Sequence, residues 1–358
     1  MHHYRKLQQK LDQHPIGAPE SEEFIEILKH LFKPEELDLA LSLDFQPKPP
    51  EKIAEQSGVK EEETKEKLEG MADRGVVLAK AMEGTTYYAL LPNYPGLFEY
   101  PFMKGFEEDK QKELARLWHA YYMKQMGPEL ARANPPWNRV FPAEGALEEI
   151  EEIEEEEFEI LPFEKASEMM NQARSIALAS CPCRTTEQQC DRPLEVCLSF
   201  DGAAEFLAER GMARLINLEE AQEVLKAAEE AGLVHTGSNH QGRLLFICNC
   251  CPCCCHFLML ITRLGYREGL ASSSFEACLD PQECTGCGVC AEERCPTGAL
   301  TLEEGAAVFS RENCLGCGLC VTTCAGGALT LVKREDYQNP PATVQELAQQ
   351  VMKNKNRG

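Results

Sequence analysis

Cysteines are the residues with the clearest chemistry in this chain, and all nineteen lie between Cys181 and Cys324. Thiolates are strong ligands for zinc and iron, and cysteines grouped at short spacings are typical of metal sites. The start of the chain, Met1 to Lys6, has none of the apolar residues of a secretory signal, so we do not expect a disulfide framework. The cysteines therefore predict metal binding in a reducing compartment, and we expect a cytoplasmic protein.

An internal repeat carries eight of these cysteines between residues 280 and 333. Each half has three cysteines spaced C-x2-C-x2-C and a fourth a few residues later: Cys284, Cys287, Cys290 and Cys295, then Cys314, Cys317, Cys320 and Cys324. The sequence Gly-Ala-Leu-Thr-Leu follows in both halves, at 298–302 and 327–331. Three thiolates on one tight loop can reach three irons of a single cluster. Glycines in the loops allow backbone N–H groups to turn toward the sulfurs.

This repeat resembles the bacterial ferredoxin that holds two [4Fe–4S] clusters. The resemblance implies that the fourth ligand comes from the other half, so that the two ligand sets are Cys284, Cys287, Cys290 and Cys324, and Cys314, Cys317, Cys320 and Cys295. Two features differ from the family pattern: the gap from Cys290 to Cys295 is one residue longer, and Ala325 replaces a proline. We expect the longer gap to displace or expose the second site, and Ala325 to loosen the loop near the first. Zinc is the alternative for these thiols.

Apart from Cys278, ten further cysteines precede the repeat and form two sets. The first set is C-x-C-x6-C-x6-C, and the second is a dense run ending in His256: Cys181, Cys183, Cys190 and Cys197, then Cys248, Cys250, Cys251, Cys253, Cys254 and Cys255. Because crowded free thiols oxidise readily, we expect them to bind one or two additional clusters, with a third [4Fe–4S] cluster drawing on both sets. Zinc on the first set, and a non-cubane cluster with bridging thiolates, are the alternatives.

Two other residues near these cysteines receive specific predictions. Arg184 is expected to supply positive charge or a hydrogen bond to cluster sulfur, the alternative being a surface salt bridge. Cys278 falls outside every motif, and we expect a buried thiol without a metal.

The elements that position these residues predict an α+β multidomain chain, mostly helical in its N-terminal and middle regions. Helices at 35–43, 50–56 and 61–73, followed by two strands around Glu83 and Gly84, resemble a winged helix. The predicted segments are a helical N-terminal arm (1–33), a winged-helix-like domain (34–100), a helical and acidic linker region (101–160), a cysteine-rich metal domain (161–275), a ferredoxin domain (276–334) and a C-terminal helical tail (335–358).

The net charge of the chain limits the classes of partner that it is expected to bind. The net charge of −23 disfavours nucleic acid and suits docking onto a basic patch of a redox partner. The third helix of the winged-helix-like unit, over 61–73, is itself acidic, which disfavours DNA recognition.

Residues 244–262 lack charged side chains, but much of their apolar character comes from cysteines, and Pro252 and His256 interrupt them. We therefore predict no membrane span.

Taken together, the winged-helix-like N-terminus, the two cysteine-rich segments and the repeat resemble a family of 4Fe–4S binding proteins from anaerobic bacteria and archaea. This resemblance implies an electron-transfer protein or a subunit of a redox complex. A redox-sensing winged-helix regulator and an oxidoreductase with a substrate-binding iron–sulfur site in the middle domain are the alternatives. No G-x-G-x-x-G sequence is present, so we expect no nicotinamide or flavin bound in that way.

Overall fold

The computed structural model describes residues 1–82, 84–105, 108–153, 160 and 162–355, and it shows an α+β chain. The helices are α1 (His2–Leu11), α2 (Glu22–Leu31), α3 (Leu37–Ser42), α4 (Pro50–Ser57), α5 (Glu61–Asp73), α6 (Glu99–Lys104), α7 (Glu108–Tyr121), α8 (Gly127–Ala131), α9 (Glu144–Ile153), α10 (Ala166–Asn171), α11 (Pro182–Glu187), α12 (Asp201–Glu209), α13 (Leu218–Glu230), α14 (His256–Thr262) and α15 (Val344–Asn354). The strands are β1 (Val77–Met82), β2 (Thr85–Leu90), β3 (Asn138–Phe141), β4 (Ile176–Ser180), β5 (Glu195–Phe200), β6 (Arg214–Ile216), β7 (Val234–Ser238), β8 (Phe246–Cys250), β9 (Phe275–Leu279), β10 (Leu300–Glu303), β11 (Ala306–Phe309) and β12 (Leu329–Lys333).

The first two helices belong to the largest apolar core. Ser21 caps α2 by accepting a hydrogen bond from the Phe24 N–H, and the apolar side chains of α2 recur at helical spacing and are fully buried. The Phe24 and Trp118 ring centroids lie 6.1 Å apart, which joins α2 to α7, and the same buried cluster includes Phe206 and Leu207 of α12. The segment predicted as a helical N-terminal arm is thus helical and shares that core, and the domain boundary at residue 33 stays a prediction.

Three helices and an antiparallel hairpin follow, in the predicted order. α3, α4 and α5 precede strands β1 and β2, which pair from Val77 opposite Leu90 to Met82 opposite Thr85. Gly58 ends α4 with a left-handed conformation, as a glycine after a helix commonly does. Glu83, at the predicted hairpin tip, lies outside the described residues. The winged-helix resemblance stays a prediction.

The middle region contains a six-stranded antiparallel sheet in the order β3-β7-β8-β5-β4-β6. The prediction that this region is mostly helical is wrong. Residues 163–177 have helical apolar spacing, but α10 ends at Asn171 and β4 begins at Ile176. The first four residues of β4 are all buried, and a continuous apolar run of this length does not distinguish a buried strand from a helix.

The repeat forms two small antiparallel pairs, β9 with β12 and β10 with β11. Helix α9 packs its buried residues Ala146, Leu147 and Ile150 into the same apolar cluster as this region. The predicted acidic linker therefore begins as a packed helix, while residues 154–159 lie outside the described residues. α15 returns to the N-terminal core through buried Leu347 and Val351.

A membrane-crossing helix needs about 20 predominantly apolar residues. Within the described ranges, no helix is both long enough and apolar enough for this role.

Candidate metal centres

Two cavities in the repeat are each bordered by four cysteines. The cysteines on the wall of the first are Cys284, Cys287, Cys290 and Cys324. Those on the wall of the second are Cys295, Cys314, Cys317 and Cys320. Each cavity thus combines three thiols of one half with the fourth thiol of the other. These are the two sets that the ferredoxin resemblance implies.

Glycines allow the loops around both cavities to approach neighbouring backbone closely. Gly286 and Gly316 have φ angles of 71° and 68°. A Cβ atom at Gly286 would lie 2.0 Å from the Gly305 carbonyl oxygen, and one at Gly316 would lie 2.0 Å from that of Phe275. Both halves therefore have a glycine at this point of the loop, and a larger residue there would force the neighbouring backbone to move.

Backbone N–H groups point at several of the thiol sulfurs. The Ala307 N–H donates to Cys284 Sγ at 3.4 Å, and the Ala299 N–H donates to Cys295 Sγ at 3.1 Å. Hydrogen bonds from the backbone of Ala307 and Gly286 hold the pKa of Cys284 below its ordinary value. These donors favour the thiolate, which is the form that binds metal.

The second cavity is the more buried of the two. Cys314, Cys317 and Cys320 are buried, whereas Cys287 of the first cavity is exposed. The expectation that the longer gap exposes the second site is therefore wrong. The additional residue is taken up by a π-helical turn over Cys290–Arg294, in which the Cys295 N–H donates to the Cys290 carbonyl at 2.9 Å.

Burial also changes the proton affinity of the thiols in the second cavity. It raises the pKa of Cys317 to about 12 and places that of Cys320 well above its ordinary value. Burial thus favours the protonated form of both thiols. Metal binding there must release protons.

Six of the ten middle cysteines shift one another's pKa, and they form a closed ring in which the pKa of each thiol is shifted by two others. In order around the ring they are Cys181, Cys183, Cys255, Cys250, Cys248 and Cys197. We call this set the six-thiol ring. It mixes three residues from each sequence motif, so neither motif forms the site alone.

Adjacent strands bring the six-thiol ring together. Cys197 lies on β5 and Cys248 and Cys250 lie on the neighbouring β8, where residues two apart share one face. Cys181 directly follows β4, the other neighbour of β5, and Cys255 caps α14. Contacts from Cys183 and Cys197 hold the pKa of Cys181 well below its ordinary value, while the pKa values of Cys183 and Cys197 are raised.

Arg184 lies beside the six-thiol ring and is only 2% exposed. Its guanidinium donates to the Asn249 carbonyl at 3.1 and 3.0 Å and to Cys251 Sγ at 3.6 Å. The alternative of a surface salt bridge is wrong, because the side chain is buried. Asn249 is itself held by His235 and by the Val196 carbonyl, an arrangement that the sequence did not reveal.

The other four middle cysteines form a second, compact group. The Sγ atoms of Cys190, Cys251, Cys253 and Cys254 all lie within 4.8 Å of one another. The alternative that placed zinc on the first motif is therefore wrong in its ligands, since Cys190 belongs to this group and the other three to the six-thiol ring. Contact with Cys254, together with Arg184, lowers the pKa of Cys251 to about 5 although burial opposes ionisation.

A buried polar chain beside the six-thiol ring was also missed. His256, which follows Cys255, contacts Tyr94 OH at 2.8 Å through Nδ1 and Glu187 Oε1 at 3.4 Å through Nε2. Glu187 also contacts His119 Nδ1 at 2.9 Å, and the His119 side chain is 42% exposed. The hydrogen bonds to His256 and His119 outweigh burial and hold the pKa of Glu187 below its ordinary value. In the sequence, only the position of His256 directly after Cys255 pointed to this buried polar chain.

Cys278 lies apart from all of these groups. It sits on β9 opposite Thr330 and is exposed. The expectation of a buried thiol is therefore wrong. Neighbouring residues of a strand point to opposite faces, and Ala277 is the one that faces the core.

The six-thiol ring and the second cavity share one apolar cluster. Cys250 and Cys255 of the ring belong to the same packed set as Cys314, Cys317 and Cys320, together with Phe275 and Leu315. Cysteines of the first cavity pack against the edge of this cluster. The three thiol sites are thus connected through protein interior.

The chain matches no family model, no curated protein and no solved structure. The thiol geometry is therefore the observation from which a function can be inferred.

Proposed function

We propose that this protein is an iron–sulfur electron carrier, with one [4Fe–4S] cluster in each cavity of the repeat and a further iron–sulfur centre at the six-thiol ring. The observation that carries the proposal is the pair of cavities, each bordered by three cysteines of one half and one of the other. When bound, such a cluster would accept and release one electron at low potential. The protein supplies thiolate ligands and backbone N–H donors, and its packing sets how far each site is exposed to solvent.

The packing supports an order of electron transfer. The six-thiol ring shares an apolar cluster with the second cavity, whose Cys314, Cys317 and Cys320 are buried. The first cavity reaches solvent at Cys287. Electrons would therefore enter or leave at the first cavity and pass through the second to the six-thiol ring.

The charge around the first cavity supports docking to a basic partner. Residues 280–305 contain six acidic side chains and one basic one, Arg294. The acidic residues are all exposed: Asp280, Glu283, Glu292, Glu293, Glu303 and Glu304. Arg294 turns to the protein body and donates to the Glu229 and Glu230 carbonyls. A partner with a basic patch would be attracted to the side where the thiols are most exposed.

The crossed ligand sets give a direct test on anaerobically purified full-length protein. Cys324→Ala is expected to remove about four irons and the cluster that an added chelator reaches first, because the first cavity is the exposed one. Cys295→Ala is expected to remove the cluster that resists the chelator. Iron and acid-labile sulfide per chain, with EPR of the reduced protein, measure both outcomes.

Cys278→Ala is the matched control, since this thiol is exposed and borders neither cavity. It should keep all iron and an unchanged EPR spectrum. If the wild-type protein, reconstituted with iron and sulfide, shows no reversible [4Fe–4S] signal, the carrier function is excluded. If Cys324→Ala removes the chelator-resistant cluster instead, the crossed assignment is wrong.

Charge and packing disfavour the alternative of a DNA-binding redox regulator. The outward face of α5 carries exposed acidic residues, and Glu69 and Asp73 accept hydrogen bonds from Arg210 at 2.6 and 2.7 Å. This helix is therefore acidic and tied to the segment after α12. If the protein shifted the mobility of duplex DNA in an anaerobic assay only when its clusters were present, the hypothesis of a DNA-binding regulator would be favoured again.

The buried polar chain favours a second candidate, an oxidoreductase that binds a substrate such as a thiol or disulfide at the six-thiol ring. Glu187 connects the exposed His119 to His256, next to Cys255, so exchangeable protons lie on a path from solvent to the ring. Adding candidate substrates to the reduced protein should then change the spectrum of the ring centre. An unchanged spectrum with thiols and disulfides counts against this candidate.

A further inference from the structure

Cys190, Cys251, Cys253 and Cys254, which we call the four-thiol group, differ in geometry from the six-thiol ring. Three of them come from the turn between β8 and α14, and Cys190 comes from the segment after α11. Cys251 and Cys254 are 1% and 0% exposed, and the other two are partly buried. All four are free thiols, so no disulfide holds the two segments together.

The sulfur–sulfur distances match the coordination shell of one ion. A tetrahedral ion with metal–sulfur bonds of about 2.3 Å places its four sulfurs about 3.8 Å apart. Here Cys190 Sγ lies 3.8 Å from Cys251 Sγ and 3.9 Å from Cys254 Sγ, and Cys253 Sγ lies 3.8 Å from Cys254 Sγ. The thiolates of a cubane bind four different irons and point outward from them, so their sulfurs lie farther apart than those around one ion.

Two arginine side chains near the four-thiol group can balance the negative charge of a metal ion with four thiolate ligands. Four thiolates around a divalent ion carry a net charge of −2, and the Arg184 guanidinium donates to Cys251 Sγ at 3.6 Å. Arg263 donates to the Cys253 carbonyl at 2.9 Å and adds a second positive charge to the same turn. Four sulfurs complete a tetrahedral shell and leave no open position, which is typical of a structural ion.

We propose that Cys190, Cys251, Cys253 and Cys254 bind a single tetrahedral metal ion, Zn²⁺ or Fe²⁺, that is separate from every iron–sulfur cluster. The site fastens the segment around Cys190 to the turn that supplies Cys250 and Cys255 to the six-thiol ring. Cys250 and Cys251, and likewise Cys254 and Cys255, are direct neighbours that serve different centres. The ion thereby holds the ring thiols in place without taking part in electron transfer.

The test compares Cys190→Ala with the Cys278→Ala control in the anaerobically purified full-length protein. Zinc, iron and acid-labile sulfide are measured per chain. Cys190→Ala is expected to lose one equivalent of zinc, or one equivalent of iron with no sulfide, and to keep the EPR signals of the repeat. Loss of iron and sulfide in equal amounts with no loss of zinc, or no loss of metal at all, overturns the proposal.

X-ray absorption on the wild-type protein provides a measurement that does not depend on a variant that folds. If the ion is zinc, its absorption edge should show four sulfurs at about 2.3 Å and no neighbouring iron. If the wild type contains no zinc, the single ion must appear as iron in excess of sulfide. A chain with neither zinc nor excess iron contradicts the proposal. Because these readouts do not involve the cavities of the repeat, the single ion and the electron-carrier function can fail separately.

Discussion

Gly316 illustrates how strongly a single position constrains the second cavity. Its φ angle is positive, and a Cβ atom would lie 2.0 Å from the Phe275 carbonyl oxygen and 2.3 Å from Ser273 Oγ. Ser273 Oγ in turn donates to the Gly316 carbonyl at 2.6 Å. The loop is thus packed against β9 by its backbone, which keeps Cys314 and Cys317 at the cavity wall.

We predict that Gly316→Ala lowers the free energy of unfolding by about 3 kcal/mol, because positive-φ strain and overpacking add. Gly298→Ala is the matched control: its φ angle is 67°, and nothing lies within 4 Å of the new Cβ. The control should cost only about 1 kcal/mol. Anaerobic denaturant unfolding and iron content measure both variants. Equal losses would contradict the close approach to β9.

At the scale of elements, α15 links the end of the chain to the N-terminal core. Thr343 caps this helix by accepting a hydrogen bond from the Glu346 N–H at 3.2 Å. Leu347 is 1% exposed in the core that contains Trp118, whereas Val344, one turn earlier, is 41% exposed. The capping sequence therefore defines where the helix begins, and the buried side of the helix attaches it to the body.

We expect Leu347→Ala to destabilise the protein by about 2–3 kcal/mol, since it leaves a cavity in a closed core. Val344→Ala, the control on the same helix, should change stability by no more than about 0.5 kcal/mol. Thermal unfolding followed by tryptophan fluorescence reports on this core. If the two variants unfold alike, α15 does not pack as described.

At the scale of the whole molecule, negative charge is concentrated beside the most exposed thiols. The chain carries a net charge of −23, and the six acidic residues near the first cavity are all exposed. Attraction to a basic acceptor acts over the Debye length, which shrinks from about 30 Å at 0.01 M salt to about 8 Å at 0.15 M. Salt should therefore weaken the encounter.

We predict that electron transfer from the reduced protein to a basic acceptor protein slows about tenfold between these two salt concentrations. The double variant Glu303→Gln/Glu304→Gln should be slower than wild type at low salt. Glu62→Gln/Glu66→Gln, which removes the same charge from α5, should behave like wild type. Stopped-flow absorbance follows the reaction. A rate independent of salt, or equal effects of both variants, would contradict docking at the first cavity.

Several features could be predicted from the sequence because they depend on neighbouring residues. Helices α4 and α5 and the β1–β2 hairpin follow from local apolar spacing and from glycines or caps at their ends. The α+β class was likewise predicted, and spacing showed the two groups of three cysteines in the repeat, whereas the fourth cysteine of each set was implied by the ferredoxin resemblance. The six-stranded sheet was not, because β4 and β5 are buried over most of their length, and a buried strand has no period that separates it from a helix.

The partition of the ten middle cysteines was decided only by the tertiary structure. Cys190 lies in the same motif as Cys181, Cys183 and Cys197, and Cys250 is bonded to Cys251 along the chain, yet in each case neighbours in sequence serve different sites. The reason is that pairing of β4, β5 and β8 sets which thiols face one another, and this pairing depends on long-range register rather than on spacing. The sequence by itself was enough to predict metal binding by the thiols, and the fold decided which thiols lie together.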